Sequence, residues 1–215
     1  MTRLGLLIGG FLAAGTVSVV QALELIPLGP GQPWQRLEFR ITGVPVVTNP
    51  FDPEQIRVEG TFELPSGQTQ SVPAFWYQAW QRQLNGNNEK LSSTNAPEWR
   101  LRFAPPTTGD YSVSVTVFTN NQSANLTAGT NFSVTGETPA RRGYVRIAAS
   151  RQFFETGDGR ALPLIGANVC WHGSRGTYDY DDWFAAMQAA GENYLRLWMC
   201  PWSFGLETAA DSLNR

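Results

Sequence analysis

The sequence predicts an all-β antiparallel sandwich followed by a β-α-β unit. Three observations carry this. Apolar and polar residues alternate in several short segments before residue 135. A polar, proline-containing stretch at 136–143 then interrupts the pattern. Beyond it, a strand pattern, a helix pattern and a second strand pattern follow one another from Leu162 to Met199.

The first element is a targeting signal. Arg3 is a short basic region, Leu4 to Val20 is apolar, and Val20-Gln21-Ala22 places small residues where a signal peptidase reads. Cleavage is expected after Ala22, making residues 1–22 a signal peptide. The run is shorter than the roughly 20 residues of a membrane span. Gly9, Gly10 and Gly15 weaken it as a permanent helix, and no cysteine follows it to carry lipid. The expected location is therefore secreted, periplasmic or extracellular, with no stable membrane anchor after cleavage.

Residues 23–135 form the expected sandwich. Alternation marks Trp34 to Ile41, Ile56 to Leu64, Trp99 to Phe103 and Tyr111 to Phe118. Turn residues separate them: Asn49-Pro50, Pro65-Ser66-Gly67, Asn85-Gly86-Asn87-Asn88 and Pro105 to Asp110. Short strands at this spacing without a helix indicate an immunoglobulin-type sandwich, although the Cys…Trp…Cys pattern of antibody domains is missing. Tyr111, after Gly109-Asp110, stands where such a sandwich places a corner tyrosine. Alternation sends Phe75 and Tyr77 to one face and Trp76 to the other. Three Asn-X-Ser/Thr triplets, at Asn121, Asn125 and Asn131, read as polar turn residues.

Residues 136–143 are the expected linker and 144–215 the second unit. Phe153 to Leu164, around Gly157-Asp158-Gly159, reads as a hairpin ahead of a strand at Leu162 to Val169. A helix is predicted from about Tyr180 to Ala190. Asp179 is its N-cap, Tyr180, Trp183, Phe184 and Met187 its apolar stripe, and Gly191 its stop. Tyr194 to Met199 is the second strand. A parallel pair needs such a crossover, and repetition of this unit builds a (β/α)8 TIM barrel, whose active site lies at the C-terminal strand ends. Residues 144–215 are thus expected to be the N-terminal fragment of such a barrel.

Composition excludes some classes of function. The net charge of −2 gives no electrostatic footprint for nucleic acid. His172 is the only histidine, and Cys170 and Cys200 are the only cysteines, which argues against zinc. Export permits a disulfide between these two. Neighbouring parallel strands seldom give its geometry, so two buried free thiols are the favoured alternative.

Two segments resemble known families. Asn49-Pro50-Phe51-Asp52, Gly60-Thr61-Phe62 through Pro65-Ser66-Gly67, Val72-Pro73-Ala74-Phe75 and Trp99 to Pro105 resemble the domain of unknown function 5060, over roughly residues 33 to 118. That family is an immunoglobulin-like module found ahead of glycosidase barrels. Gly166 to Trp171 and Asn193 to Trp198 resemble the first two strands of clan-A glycoside hydrolases, such as family 5 cellulases and mannanases.

The resemblance implies the N-terminal part of a retaining glycosidase acting on poly- or oligosaccharide, without a cofactor. Its two carboxylates belong to strands four and seven of the barrel, so none is expected in this chain, which alone should be inactive. It also implies that Arg196 points into the barrel and keeps the nucleophilic carboxylate ionised; a structural ion pair is the other reading of the same residue. Trp198 shares its face. Asn168, Trp171 and His172 after strand one, and Trp202 after strand two, are the expected sugar contacts. An indole there can stack on a sugar or simply seal the barrel mouth. Glu207 follows strand two and reads as a helix-start or wall residue. The aromatic cluster Phe75-Trp76-Tyr77 and Trp80 is expected to serve core packing or docking of the sandwich on the barrel. Two other functions fit the same chain: a non-enzymatic carbohydrate-binding or cell-surface adhesion module, and a structural spacer.

Overall fold

The computed structural model describes residues 22–120, 126–136, 143–200 and 203. The expected signal peptide through residue 21, most of the expected 136–143 linker, Trp202 and Glu207 lie outside them. Ten strands make the first unit. They are β1 (Glu24–Pro27), β2 (Leu37–Thr42), β3 (Ile56–Glu63), β4 (Thr69–Pro73), β5 (Phe75–Tyr77), β6 (Trp80–Asn85), β7 (Asn88–Ser93), β8 (Glu98–Phe103), β9 (Gly109–Thr119) and β10 (Leu126–Val134).

Eight of them form two antiparallel sheets, ordered β1-β2-β8-β5 and β10-β9-β3-β4. Strict alternation puts Leu37, Phe39 and Ile41 of β2, and Trp99, Leu101 and Phe103 of β8, against Ile56, Val58 and Phe62 of β3 and Tyr111, Val113, Val115 and Val117 of β9. These side chains exclude water between the sheets, the dominant favourable term in such a fold. Phe62 stacks on Phe103 with centroids 4.0 Å apart. Gly60 lies where a methyl group would run into the side chain of Leu101. The chain changes sheets at Pro73-Ala74, where the Ala74 N–H donates to the Val58 carbonyl at 2.9 Å. The corner tyrosine forms: the Tyr111 hydroxyl donates to the Thr107 carbonyl at 2.9 Å.

Trp34 is not in a strand, contrary to the alternation read there. Its φ is 57°, its N–H donates to the Pro105 carbonyl at 2.8 Å, and its ring meets Tyr144 edge-on. Phe75 and Tyr77 do share a face, and Trp76 packs inward on Trp99. Their outer rings are covered: the Arg100 guanidinium stands 3.8 Å from the Tyr77 centroid and that of Arg102 4.9 Å from Phe75. Among the described residues, strands β6 and β7 pair only with each other, through the turn at Gly86-Asn87. Gly86 has φ 61°, the left-handed conformation a two-residue hairpin turn needs.

In the second unit, β11 (Arg146–Ile147), β12 (Phe154–Glu155) and β13 (Ala161–Leu162) form an antiparallel meander. The strand predicted from Leu162 to Val169 is broken. Pro163 removes a ladder donor, and the chain resumes as β14 (Gly166–Val169). Helix α1 (Thr177–Ala189) crosses over to β15 (Tyr194–Leu197), and β14 and β15 pair in parallel, Asn168 opposite Arg196. Asn193 fixes the entry to the pair: its side chain accepts from the Ile165 N–H at 3.0 Å and donates to the Pro163 carbonyl at 2.9 Å.

The helix begins one turn earlier than predicted. Gly176, with φ 58°, holds the N-cap position, and Asp179 lies in the first turn. There its carboxylate accepts from the Gly173 N–H at 2.8 Å instead of capping. Within the expected apolar stripe Tyr180 is buried, while Trp183 and Phe184 remain partly exposed.

Candidate functional site

The C-terminal ends of β14 and β15 gather the residues singled out in the sequence. Asn168 and Arg196 are register partners on adjacent strands. One residue past the end of β15, the Trp198 N–H donates at 3.0 Å to the carbonyl of Val169, the last residue of β14, which holds the two loops side by side. The indoles of Trp171 and Trp198 consequently stand 6.2 Å apart, inclined at 58°. They are 45% and 44% exposed. Arg196, Leu197, Trp198 and Met199 line a shallow cleft of about 270 Å³. Arg196 is exposed and forms no ion pair among the described residues.

His172 turns back toward the protein. Its Nδ1 lies 2.7 Å from the Gly173 carbonyl, and its ring meets Tyr180 edge-on at 5.9 Å. Tyr180 joins the two loops. Its buried hydroxyl donates to the Cys170 carbonyl at 3.0 Å and lies 3.0 Å from the Ser203 Oγ. Burying a phenol is favourable only when its hydroxyl finds such partners. Sequence reading placed Tyr180 in the apolar stripe and missed this polar end; the one available signal was a tyrosine among tryptophan, phenylalanine and methionine.

The cysteines are free thiols. The expectation that they are buried does not hold: Cys170 is exposed and Cys200 half-buried, because both lie beyond the strand ends, where no described element covers them. Among the described residues no group of three histidine, cysteine, aspartate or glutamate side chains could hold a metal ion, and no helix is long and apolar enough to cross a membrane.

An aromatic pair, an arginine and a strand-end amide beside a parallel β-α-β unit can grip a polyhydroxylated ligand. Indole faces stack on apolar ring faces, while amide and guanidinium groups hydrogen-bond hydroxyls. Among the described residues the site presents no pair of facing carboxylates.

The fold is therefore that of a mainly β protein, a two-sheet sandwich leading into a β-α-β unit. Residues 31–118 match a family described as domain of unknown function 5060. Among solved structures, the chain is similar to a protein of Bacteroides vulgatus described as a putative glycoside hydrolase, with a TM-score of 0.54 and 20% identity. The likeness covers 84% of this chain and 31% of that one, so the chain spans about a third of that protein's length. At this identity the likeness is one of fold. No curated protein matches the chain.

Proposed function

We propose that this chain is the N-terminal part of an exported glycoside hydrolase. Its substrate is a poly- or oligosaccharide, cleaved by a retaining double displacement at carboxylates supplied by other barrel strands. The observation that carries this reading is the placement of Asn168, Trp171, Arg196 and Trp198 together at the C-terminal ends of a parallel pair joined by a helix. Parallel strands are stable when covered on both faces and paired on both edges. Here, among the described residues, β14 and β15 pair only with each other, and Ile165, Tyr194, Trp198 and Met199 are exposed around them. Further βα units on either side would cover those faces, and their closure is the (β/α)8 barrel. The match at residues 31–118 and the similar fold of a protein described as a glycoside hydrolase support the same reading.

In this mechanism Arg196 holds the nucleophilic carboxylate in its charged form by proximity. Trp171 and Trp198 form walls for the sugar, and Asn168 binds a hydroxyl. His172, turned toward Gly173 and Tyr180, shapes the loop beside them. Retention requires two carboxylates about 5–5.5 Å apart.

Steady-state kinetics of the protein as its gene encodes it test these roles. Arg196→Ala should lower kcat and kcat/KM together by roughly 10²-fold with little change in KM, the pattern of a lost transition-state stabiliser. An Arg196→Ala enzyme that melts normally and keeps near-full kcat contradicts the role. An adhesion module predicts sugar binding with no turnover at all.

A further inference from the structure

The β6–β7 hairpin stands outside both sandwich sheets, and all its residues are exposed except Glu89. That residue reaches the start of helix α1. Its carboxylate accepts the Thr177 N–H at 2.8 Å and also the Thr177 hydroxyl. Its own N–H donates to the Ser174 carbonyl at 3.3 Å. Arg82, across the hairpin, donates to the Thr177 Oγ1 at 2.9 Å and pairs with Asp181 at 2.7 Å. Its guanidinium lies 4.5 Å from the Tyr178 ring centroid. The Thr177 hydroxyl thus donates to the hairpin's anion and accepts from its cation.

Helix α1 has no side-chain cap of its own. The orphan N–H groups of a first turn need acceptors, and a negative charge is favourable there. Glu89 meets both needs from 88 residues upstream. The approach is close: Gly176 lies where any Cβ would collide with the Glu89 carboxylate. The hairpin contacts Ser174, Gly176 and Thr177, and these end the loop that carries Trp171 and His172.

We propose that Glu89 and Arg82 are positioning residues, through which the sandwich hairpin fixes the β14–α1 loop and so the aromatic wall of the sugar site. This assignment rests on the proposed sugar-binding role of Trp171. It makes the N-terminal sandwich part of the site's framework. The two residues touch no reacting group; they act through Thr177 and the loop before it.

Hydrogen exchange on the full 215-residue chain, without any sugar, tests the positioning step separately from the glycosidase reading. Glu89→Ala and Arg82→Glu should each speed exchange of amides in 173–179 by roughly 5- to 10-fold, the scale of a lost helix cap. Amides of β9, in the sandwich core, should keep their protection and so report that the variants fold. The charge-swapped pair Arg82→Glu with Asp181→Arg should return 173–179 to within about twofold of the parent. A merely structural disturbance of the hairpin would not be rescued this way. Unchanged exchange in Glu89→Ala, or single variants accelerated without rescue by the swap, overturns the proposal. Accelerated exchange in the single variants and its rescue by the swap, together with no hydrolysis of any sugar by the protein as its gene encodes it, would count against the proposed function and leave the positioning role standing.

Discussion

Glu38 sits on the outer face of β2 and is contacted by three arginines, Arg36 at 3.8 Å being the most distant. Arg102 donates from Nε at 2.7 Å and pairs through Nη2 at 2.5 Å, and Arg100 pairs at 3.1 Å. Burial by itself would raise this carboxyl. The Arg102 hydrogen bond and the charges of Arg102, Arg36 and Arg100 outweigh it, leaving the group below its ordinary value of 4.5. A carboxyl depressed on folding contributes stability above its unfolded value and loses it as pH falls through the folded value. The parent should therefore lose stability relative to Glu38→Gln as pH drops from about 5 toward 3. At pH 7 the variant should be less stable by about 1–2 kcal/mol, since a half-covered ion cluster lies between exposed and buried pairs. Urea melts at both pH values check this; a difference independent of pH contradicts it. The core of this cluster was not legible beforehand, because Glu38 comes from β2 and Arg100 and Arg102 from β8, far apart in sequence.

At the scale of elements, legibility followed burial. Strands β2, β3, β8 and β9 each bury one face, so a period of two is written into their residues. The hairpin arms β6 and β7 bury almost nothing and show no period; only the turn residues Asn85 to Asn88 marked them. Helix α1 was legible as a helix, but its start was not. Local capping rules point to Asp179, whereas the acceptor for the Thr177 N–H is Glu89, brought there by tertiary structure. The strand-end tryptophans could be placed because their segments read as strands. The bond of Tyr180 to Cys170 depends on how the helix packs and has no sequence signal. The sandwich carries a further test in Gly60, where β3 comes close to β8. Gly60→Ala should cost about 1–3 kcal/mol, the range for overpacking a filled core, because the new methyl meets Leu101. A thermal melt that moves by less than 1 °C contradicts that packing.

For the whole molecule, the two units differ in completeness. The sandwich closes its own core between two four-stranded sheets. The β-α-β unit holds a two-stranded parallel pair with apolar residues exposed around it, and the facing carboxylates of a retaining site are absent from its described residues. The central claim is that this unit opens a retaining glycosidase barrel. Its most direct test is proton NMR of the first sugar released by the protein as its gene encodes it, on a panel of poly- and oligosaccharides. The 215-residue chain alone serves as the inactive control. The account predicts hydrolysis by the gene-encoded protein only, with the new reducing end first appearing in the anomeric configuration of the bond that was cut. Inversion at that carbon, binding without hydrolysis, or turnover by the 215-residue chain itself would contradict it.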